Sequence, residues 1–587
     1  MQPKLTQLQE LRRLSDQRRP RPLKPKVYVN VLEEEFRLLL KSKKKRYGKL
    51  MSLFTCKRRQ RPMTREEVHY KIQQLNRCCL SHIDDSYKIH ISRHKGIQTL
   101  NEIIDKSDSS DLSRTQIVAL VWSSISCLHH FYIRLRIRDR GCMAWVKRNQ
   151  ARKSIRSYDR VIQFCLPYAF DIVLNAIITF FTESNMWSTE YLCSQLLKRF
   201  LYITKEGVVT VHSLLDIAEK TSTTNVMSAR QVIRVLYQVL KRYPWYDMDD
   251  SLMRRLLTMY HHSIVPTDSA FDYVQLRTGI EVMLRHVLMN IPNDGLLKVI
   301  KIMIKWITVQ EIPDDALLYF SDLIEYTAKL HKINLYRDSL EGELFMMVLE
   351  LIGSKNRLYS LLGNRVLQHL MDRHRNVQHF STPRIFFGNL SYDIAIGRYN
   401  SEDKAFVRLY RQLIHNSLLN SIKLHGSSRI NIECTYASIA ILIVEVPCSY
   451  IATVIVCLTM GIQETAITTT DIGLAVSHHM HATVIALISL VCWVHDAHIF
   501  YDYVIAIMTI RAKNAPHLNP PLRTSYPYAQ DHVLWNKPEM FFVDWETSAK
   551  EWRLVKVPSL AIYLFVNNFF KVCLIDVTLN ELYLSKQ

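Results

Sequence analysis

The chain has 587 residues, of which 48% are hydrophobic, and a formal net charge of +22. A single compact core does not grow to this size, so the length predicts either several domains or a stack of repeats that pack only on their neighbours. Glycine is scarce, at 14 residues, which disfavours a β-architecture with many tight turns. The twelve cysteines include no C-x-x-C pair and no secretory signal opens the sequence. We therefore expect a reduced, intracellular protein whose cysteines are small buried hydrophobes.

The positive charge is concentrated in residues 1–64, which hold 19 Lys or Arg against five acidic residues, a local charge of +14. We expect residues 1–26 to be disordered and residues 31–40 to form a helix with Phe36 on its apolar face. The basic side chains that follow are the candidates for contact with an anionic surface: Lys41, Lys43, Lys44, Lys45, Arg46, Lys49, Lys57, Arg58, Arg59 and Arg61.

Three interpretations of these basic runs remain open. A solvated basic tail is the simplest of them. A membrane-surface segment is the second, because each Lys or Arg beside an anionic leaflet gains roughly 1 kcal/mol. The third is a nuclear-localisation signal or a contact with nucleic acid, which the same charges would favour.

From Arg65 onward, apolar residues recur at helical spacing in pairs of helices that are separated by short polar turns. Val68, Ile72 and Leu75 share the first such face, and Leu297 begins a later one. The pairs recur about every 35–45 residues, which is the range of armadillo and HEAT repeats. Pro244, Pro266, Pro292 and Pro313 all fall between the predicted helices. The pattern therefore predicts an all-α, armadillo/HEAT-like α-solenoid of helical hairpins.

We expect this solenoid to span residues 65–525, after the basic segment of residues 1–64 and before an irregular, aromatic-rich segment of residues 526–587. Two stretches interrupt the helical pattern. Residues 131–160 are rich in Arg and Lys, which predicts a loop or a basic helix, and residues 374–403 are polar and predict a long loop.

The most apolar part of the chain lies in residues 431–521 and has two interpretations. Residues 438–462 and 483–494 are apolar enough to suggest a membrane hairpin. However, Glu445 would place a carboxylate near the bilayer midplane at high cost. The second run is interrupted by His495 and Asp496, and it is then shorter than the roughly 20 residues that a spanning helix needs. We therefore favour helices that are buried in the core of a large protein.

Several segments of this region resemble the Eighty-five Requiring Three family, whose insect members are called rolling blackout. They are ECTYASIAILIVEVP at residues 433–447, MHATVIALISLVCWV at 480–494 and FYDYVIAIMTIRAKNAPHLNP at 500–520. Residues 366–376 (VLQHLMDRHRN), 402–419 and 65–105 resemble the same family in the same order. Together the resemblance covers most of residues 65–525.

The resemblance implies a non-enzymatic scaffold that recruits phosphatidylinositol 4-kinase III alpha to the plasma membrane and supports phosphatidylinositol 4-phosphate synthesis. It implies a tetratricopeptide-repeat partner and a hyccin-like partner. Family members are anchored at the cytoplasmic face of the membrane, as peripheral proteins, by a cluster of palmitoylated cysteines. Here Cys56 is the candidate acylation site, since it alone precedes position 78. We expect the protein in the cytosol if the anchor is lost.

The sequence contains no catalytic signature: no Gly-rich phosphate loop, no G-x-S-x-G and no H-E-x-x-H. A lipase therefore has no support, and we expect neither enzyme activity nor a cofactor. His478, His479 and His481 form a cluster, but neighbouring positions on a helix point in different directions, so structural roles are favoured over a metal site. Ser438 and Ser489, on apolar helices, are expected to bond backbone carbonyls. The rival function is a nuclear or nucleic-acid-binding helical-repeat adaptor.

Overall fold

The chain forms α-helices connected by turns and loops, in a computed structural model. The structure describes residues 35–38, 61–81, 85–133, 135, 141–241, 250–265, 271–309, 312–340, 342–468, 473–523 and 537–542. Within these ranges there is no β-strand. The all-α prediction is confirmed. The chain divides into two compact units, residues 1–290 and 291–587.

The first unit contains nine of the helices in the described ranges. They are α1 Arg65–Cys79, α2 Ser86–Lys106, α3 Arg114–Ile133, α4 Gly141–Glu183, α5 Glu190–Thr204, α6 Gly207–Thr224, α7 Val226–Leu240, α8 Asp250–Ile264 and α9 Arg277–Leu288. Residues 35–38 are also helical.

Helix α1 begins where the sequence predicts, because its first turn is capped. The Thr64 hydroxyl accepts from the Glu67 amide, while the Glu67 carboxylate accepts from the Thr64 amide at 2.9 Å. This capping box satisfies two backbone donors that the helix itself leaves without partners. The predicted face is buried at Val68, Ile72 and Leu75, so the first hairpin is confirmed.

Helices α1, α2 and α3 meet at a pair of thiols. The Sγ atoms of Cys79 and Cys127 lie 3.4 Å apart, and both residues are buried. Gly96 of α2 faces them so closely that an added Cβ would lie 2.3 Å from Cys79 Sγ. Only glycine allows α2 to approach this closely. The expectation of buried cysteines is confirmed for eight of the nine free cysteines in the described residues.

Helix α4 accounts for most of the predicted basic interruption. Residues 131–133 complete α3 and residues 141–160 are the start of α4, so the basic-helix alternative is confirmed and the loop alternative is wrong for those residues. Helix α4 is broken at Ala169, whose φ of −147° is not helical. Pro167 lies two residues earlier and has no N–H to donate, which is a common cause of such a kink.

The second unit contains eleven helices in the described ranges. They are α10 Asn293–Val309, α11 Asp314–Leu330, α12 Tyr336–Ser339, α13 Gly342–Ile352, α14 Arg357–Met371, α15 Ser401–Leu409, α16 Arg411–His425, α17 Arg429–Glu445, α18 Ser449–Thr468, α19 Leu474–Val494 and α20 His498–Asn514. Pro292 and Pro313 lie between helices as predicted. Pro244 and Pro266 are outside the described residues.

Helices α17 and α19 form the most deeply buried part of the second unit. Every residue from Cys434 to Glu445 and from Ser477 to Cys492 is buried. By length and composition alone α3, α18 and α19 could each cross a membrane, and 61%, 61% and 83% of their most apolar windows are buried in the structure. This burial supports the interpretation as protein core.

One of the arguments for core helices over a membrane hairpin is wrong. The second apolar run was predicted to be too short to span a bilayer, but α19 begins at Leu474 and has 21 residues. The helix ends at Val494 as expected, but it begins nine residues before the predicted run and contains three buried histidines. The apolar stretch and the polar residues before it therefore form one helix, because tertiary burial outweighs the local polarity.

Glu445 is buried at the end of α17, where polar groups of residues 374–376, which follow α14 in the chain, surround it. Its Oε1 atom accepts from the His374 amide at 3.1 Å and lies 3.4 Å from Asn376 Nδ2. The His374 ring contacts the same carboxylate at 3.0 Å. Burial raises the pKa of Glu445, and the contacts with His374 oppose that rise. The carboxylate fixes the loop to the helix end.

The loop predicted at residues 374–403 is confirmed between the short 3₁₀ turn Asn376–Phe380 and the start of α15. The loop returns to α17, because the Gly397 amide donates to the Val444 carbonyl at 2.7 Å. An added Cβ at Gly397 would lie 2.5 Å from the Glu445 carbonyl oxygen. Glycine is therefore required for this close approach.

Residues 540–542 pack on α18 and α20. The Phe542 amide donates to Gln463 Oε1 at 2.9 Å, and the buried Arg511 guanidinium donates to the Met540 carbonyl at 2.6 Å. Burial lowers the pKa of Arg511 to about 9. The predicted boundary near residue 525 stays a prediction, as it falls among residues 524–536, outside the described ranges.

Candidate anionic-surface interface

The sequence-predicted basic candidates fall mostly outside the described residues. This is true of Lys41, Lys43, Lys44, Lys45, Arg46, Lys49, Lys57, Arg58, Arg59 and the acylation candidate Cys56. Arg61 is described and is exposed. These assignments stay predictions, and the basic surface that the structure does describe lies on α4.

The N-terminal part of α4 presents a basic face with an exposed tryptophan. Residues 141–168 contain six Lys or Arg and one acidic residue. Trp145, Arg148, Arg152 and Arg156 follow at helical spacing, so they lie along one side of the helix. Trp145 is 61% exposed, and Arg148 and Arg156 are exposed. An aromatic ring beside cations is the side-chain combination that suits a membrane interface.

Two of these arginines carry an ion pair with Glu35, which is buried at 5% exposure. Arg156 Nε and one of its terminal nitrogens lie 2.9 Å and 3.1 Å from the two Glu35 oxygens. Arg152 Nε lies 3.6 Å from Glu35. The contact with Glu35 raises the pKa of Arg156, against the opposing effect of burial. No sequence pattern signals this contact, because it joins residues that are 121 positions apart in the chain.

A second, deeper ion pair holds α5 against α4. Arg199 is fully buried and donates to Asp159 Oδ2 at 2.6 Å. Burial raises the pKa of Asp159 to about 6, with Arg199 opposing the shift. Arg199 also lies over the Phe36 ring, with its Cζ atom 5.5 Å from the ring centroid. Asp159 therefore marks the side of α4 that faces α5. Arg148 and Lys153 of the same helix are exposed.

The histidine cluster has contacts typical of packing. The two nitrogens of His479 lie 3.2 Å and 2.9 Å from the carbonyl oxygens of Gly426 and Arg523. The His478 and His517 rings are in contact, with centroids 4.4 Å apart and planes tilted by 58°. Burial lowers the pKa of His478 to about 4. No group of three His, Cys, Asp or Glu side chains in the described ranges is placed to hold a metal ion.

The two serines on apolar helices bond to the backbone as predicted. Ser489 donates to the Ala486 carbonyl at 2.8 Å and accepts from the Phe386 amide. Ser438 donates to the side chain of Asn364 at 2.8 Å and lies 3.2 Å from the Cys434 carbonyl. Both hydroxyls are therefore engaged in packing contacts of the second unit.

Fold and surface together define a class: a helical-repeat protein of the armadillo type with a basic, aromatic face. A family model described as EFR3, armadillo repeat matches residues 161–542, which is more than half of the chain. The chain therefore belongs to the EFR3 family, and the family resemblance in the sequence is confirmed.

One relative supports the same assignment. Protein EFR3 homolog cmp44E of Drosophila melanogaster is 29% identical over 160 residues, which make up 27% of this chain and 18% of that protein. The match therefore spans less than a fifth of the length of the relative. No solved structure matches the chain.

Proposed function

We propose that this protein is a non-enzymatic scaffold at the cytoplasmic face of the plasma membrane. It associates there peripherally and recruits phosphatidylinositol 4-kinase III alpha, which supports phosphatidylinositol 4-phosphate synthesis. The family assignment supports a scaffold-type role. The observation that carries the membrane part is the surface of α4, where Trp145 and Arg148 are exposed on one side of the helix and Lys153 is exposed as well.

The mechanism is proximity. A basic face and the polybasic residues 41–61 attract an anionic leaflet, while the helical repeats offer an extended surface for protein partners. Holding a soluble kinase beside a lipid substrate raises its effective concentration without any new chemistry. The partners that we propose for the repeats are a tetratricopeptide-repeat protein and a hyccin-like protein.

A nuclear or nucleic-acid-binding adaptor is the second candidate, because the net charge of +22 would suit that partner equally. Affinity purification of the tagged full chain from cells distinguishes the two. Recovery of the kinase and its complex subunits supports the scaffold. Recovery of nuclear import factors or RNA, with no kinase subunit, would overturn it.

A further inference from the structure

Residues 35–38 lie in a groove between α4 and α5, where they are held by charge and by an aromatic ring. Glu35 accepts from Arg156 with both oxygens and is also paired with Arg152. A carboxylate that meets one guanidinium in this two-bond geometry is bound more strongly and more selectively than by a single contact. The groove therefore recognises an acidic side chain at this position.

The next residue fills the apolar part of the groove. Phe36 is 6% exposed and meets the Tyr202 ring edge-on, with centroids 5.6 Å apart and planes at 73°. The Arg199 guanidinium also lies over the Phe36 ring, with its Cζ atom 5.5 Å from the ring centroid. Leu38, two residues later, is 52% exposed. The buried contacts are thus confined to an adjacent acidic and aromatic pair.

The position of this pair matters for the polybasic residues that follow. The described chain resumes at Arg61, and the Met63 amide donates to the Lys106 carbonyl at the end of α2, at 2.9 Å. The described chain therefore contacts the first unit on either side of residues 39–60. They contain nine of the ten basic candidates and Cys56.

We propose that the groove between α4 and α5 is a receptor for a short acidic–aromatic motif, which Glu35 and Phe36 of the same chain occupy. The docking fixes the chain on the N-terminal side of the polybasic residues. A contribution of the docking to membrane contact rests on the proposed function, whereas the groove itself does not. Binding within one chain is favoured over binding of a free peptide by its high effective concentration.

The test is binding of a dye-labelled peptide with the sequence of residues 30–38 to the purified full chain, in the absence of lipid. In the double variant Glu35→Gln, Phe36→Ala the groove is vacated. We expect the peptide to bind this variant at least tenfold more tightly than it binds the wild type. Equal affinity for both proteins, or no saturable binding to the variant, would overturn the proposal.

A matched pair of arginines on the same helix provides the control. Added to the double variant, Arg156→Gln should weaken peptide binding at least tenfold, because it removes the two-bond contact. Arg148→Gln, which removes an exposed charge, should change the affinity by less than about twofold. Equal losses from both changes would mean general charge attraction and would overturn a specific groove. A peptide with Gln in place of the Glu35 equivalent tests the same contact should the Arg156 variant not fold.

Vesicle sedimentation separates this inference from the proposed function. If the peptide binds as expected but neither the wild type nor the double variant binds phosphatidylserine vesicles, the groove stands and the membrane role fails. If both bind vesicles with the same affinity and salt dependence, the contribution of the docking to membrane contact is overturned, while the groove stands.

Discussion

At the scale of single residues, the tightest constraint is at Gly96, where α2 crosses the thiols of α1 and α3. A Cβ at this position would lie 2.3 Å from Cys79 Sγ and 3.4 Å from Cys127 Sγ. Contacts under 3.0 Å force neighbouring atoms to move, and the Cys79 side chain is fully buried. The interface therefore has no room for a methyl group.

Gly96→Ala should destabilise the first unit by roughly 1–3 kcal/mol, the usual cost of overpacking a core. Alanine favours the helical state by about 1 kcal/mol, which offsets part of the loss. The measurement is the free energy of unfolding in urea. Adding Cys79→Ala should recover part of the loss, because the clashing sulfur is removed. Gly473→Ala is the control, since a Cβ there meets nothing within 4 Å. A Gly96→Ala protein as stable as the wild type would contradict this packing.

His478 illustrates how burial couples a side chain to pH. Burial, and to a smaller extent the nearby His517 and His479, lower its pKa to about 4 in the folded protein. The unfolded chain has the ordinary value near 6.5 and therefore binds the proton first as the pH falls. The stabilising contribution is present above about pH 6.5 and is lost progressively as the pH falls towards 4.

Lowering the pH from 7 to 5 should therefore destabilise the wild type, and His478→Asn should reduce this loss. One pKa unit corresponds to about 1.4 kcal/mol, so the His478 contribution over this range is on the order of 2 kcal/mol. The comparison is made by urea unfolding at both pH values. His498→Asn serves as the control because that side chain is 77% exposed. A pH dependence unchanged by His478→Asn would show that other groups carry it.

At the scale of elements, α4 joins the packing of the first unit to its surface. One side of the helix is buried at Ile155, Tyr158 and Ile162. Arg148 and Lys153 of the same helix are exposed. Since they belong to one helix with these buried residues, the two basic side chains keep a fixed spacing relative to the core.

Replacing Arg148 and Lys153 with Gln should weaken sedimentation with phosphatidylserine vesicles, because each cation near an anionic surface contributes about 1 kcal/mol. Replacing Lys43, Lys44, Lys45, Arg46, Arg58 and Arg59 with Gln should weaken it further. Raising the salt from about 0.1 M to 1 M should remove most of the binding, since the Debye length falls from about 10 Å to about 3 Å.

The control for this experiment is Lys220→Gln, an exposed basic residue on α6. Cys56→Ser should weaken attachment in cells further only if that cysteine is acylated. Sedimentation that neither the substitutions nor salt change would rule out electrostatic attachment and leave the solvated tail as the interpretation.

In the whole molecule, each of the three helices apolar enough to cross a membrane is more than half buried in the structure. Helix α19 is buried all round from Ser477 to Cys492. Its neighbours include α17, α18 and α20. This packing favours a helix in the protein core over one that faces lipid.

Alkaline carbonate treatment of cell membranes should therefore release the full chain, because peripheral proteins are held by charge and by limited apolar contact. Detection of the tagged protein in the supernatant and pellet gives the result. An integral membrane protein in the same sample serves as the reference that stays in the pellet. Retention of this chain with that reference would favour the membrane hairpin.

Patterns within short stretches of the sequence predict the helical class, the first hairpin and the location of the positive charge. Helical spacing from Arg65 onward places Val68, Ile72 and Leu75 on one buried face. These features depend on local backbone preferences and on periodicity, which any short window of the chain contains. The family assignment likewise rests on contiguous segments.

Contacts between distant residues come from the fold. Glu35 pairs with Arg156 across 121 positions, and Glu445 meets His374 across 71. The fold also begins α19 at Leu474, before the apolar run that the sequence predicts at residues 483–494. Side-chain contacts between separate elements follow from how whole helices pack, and no sequence window contains that information.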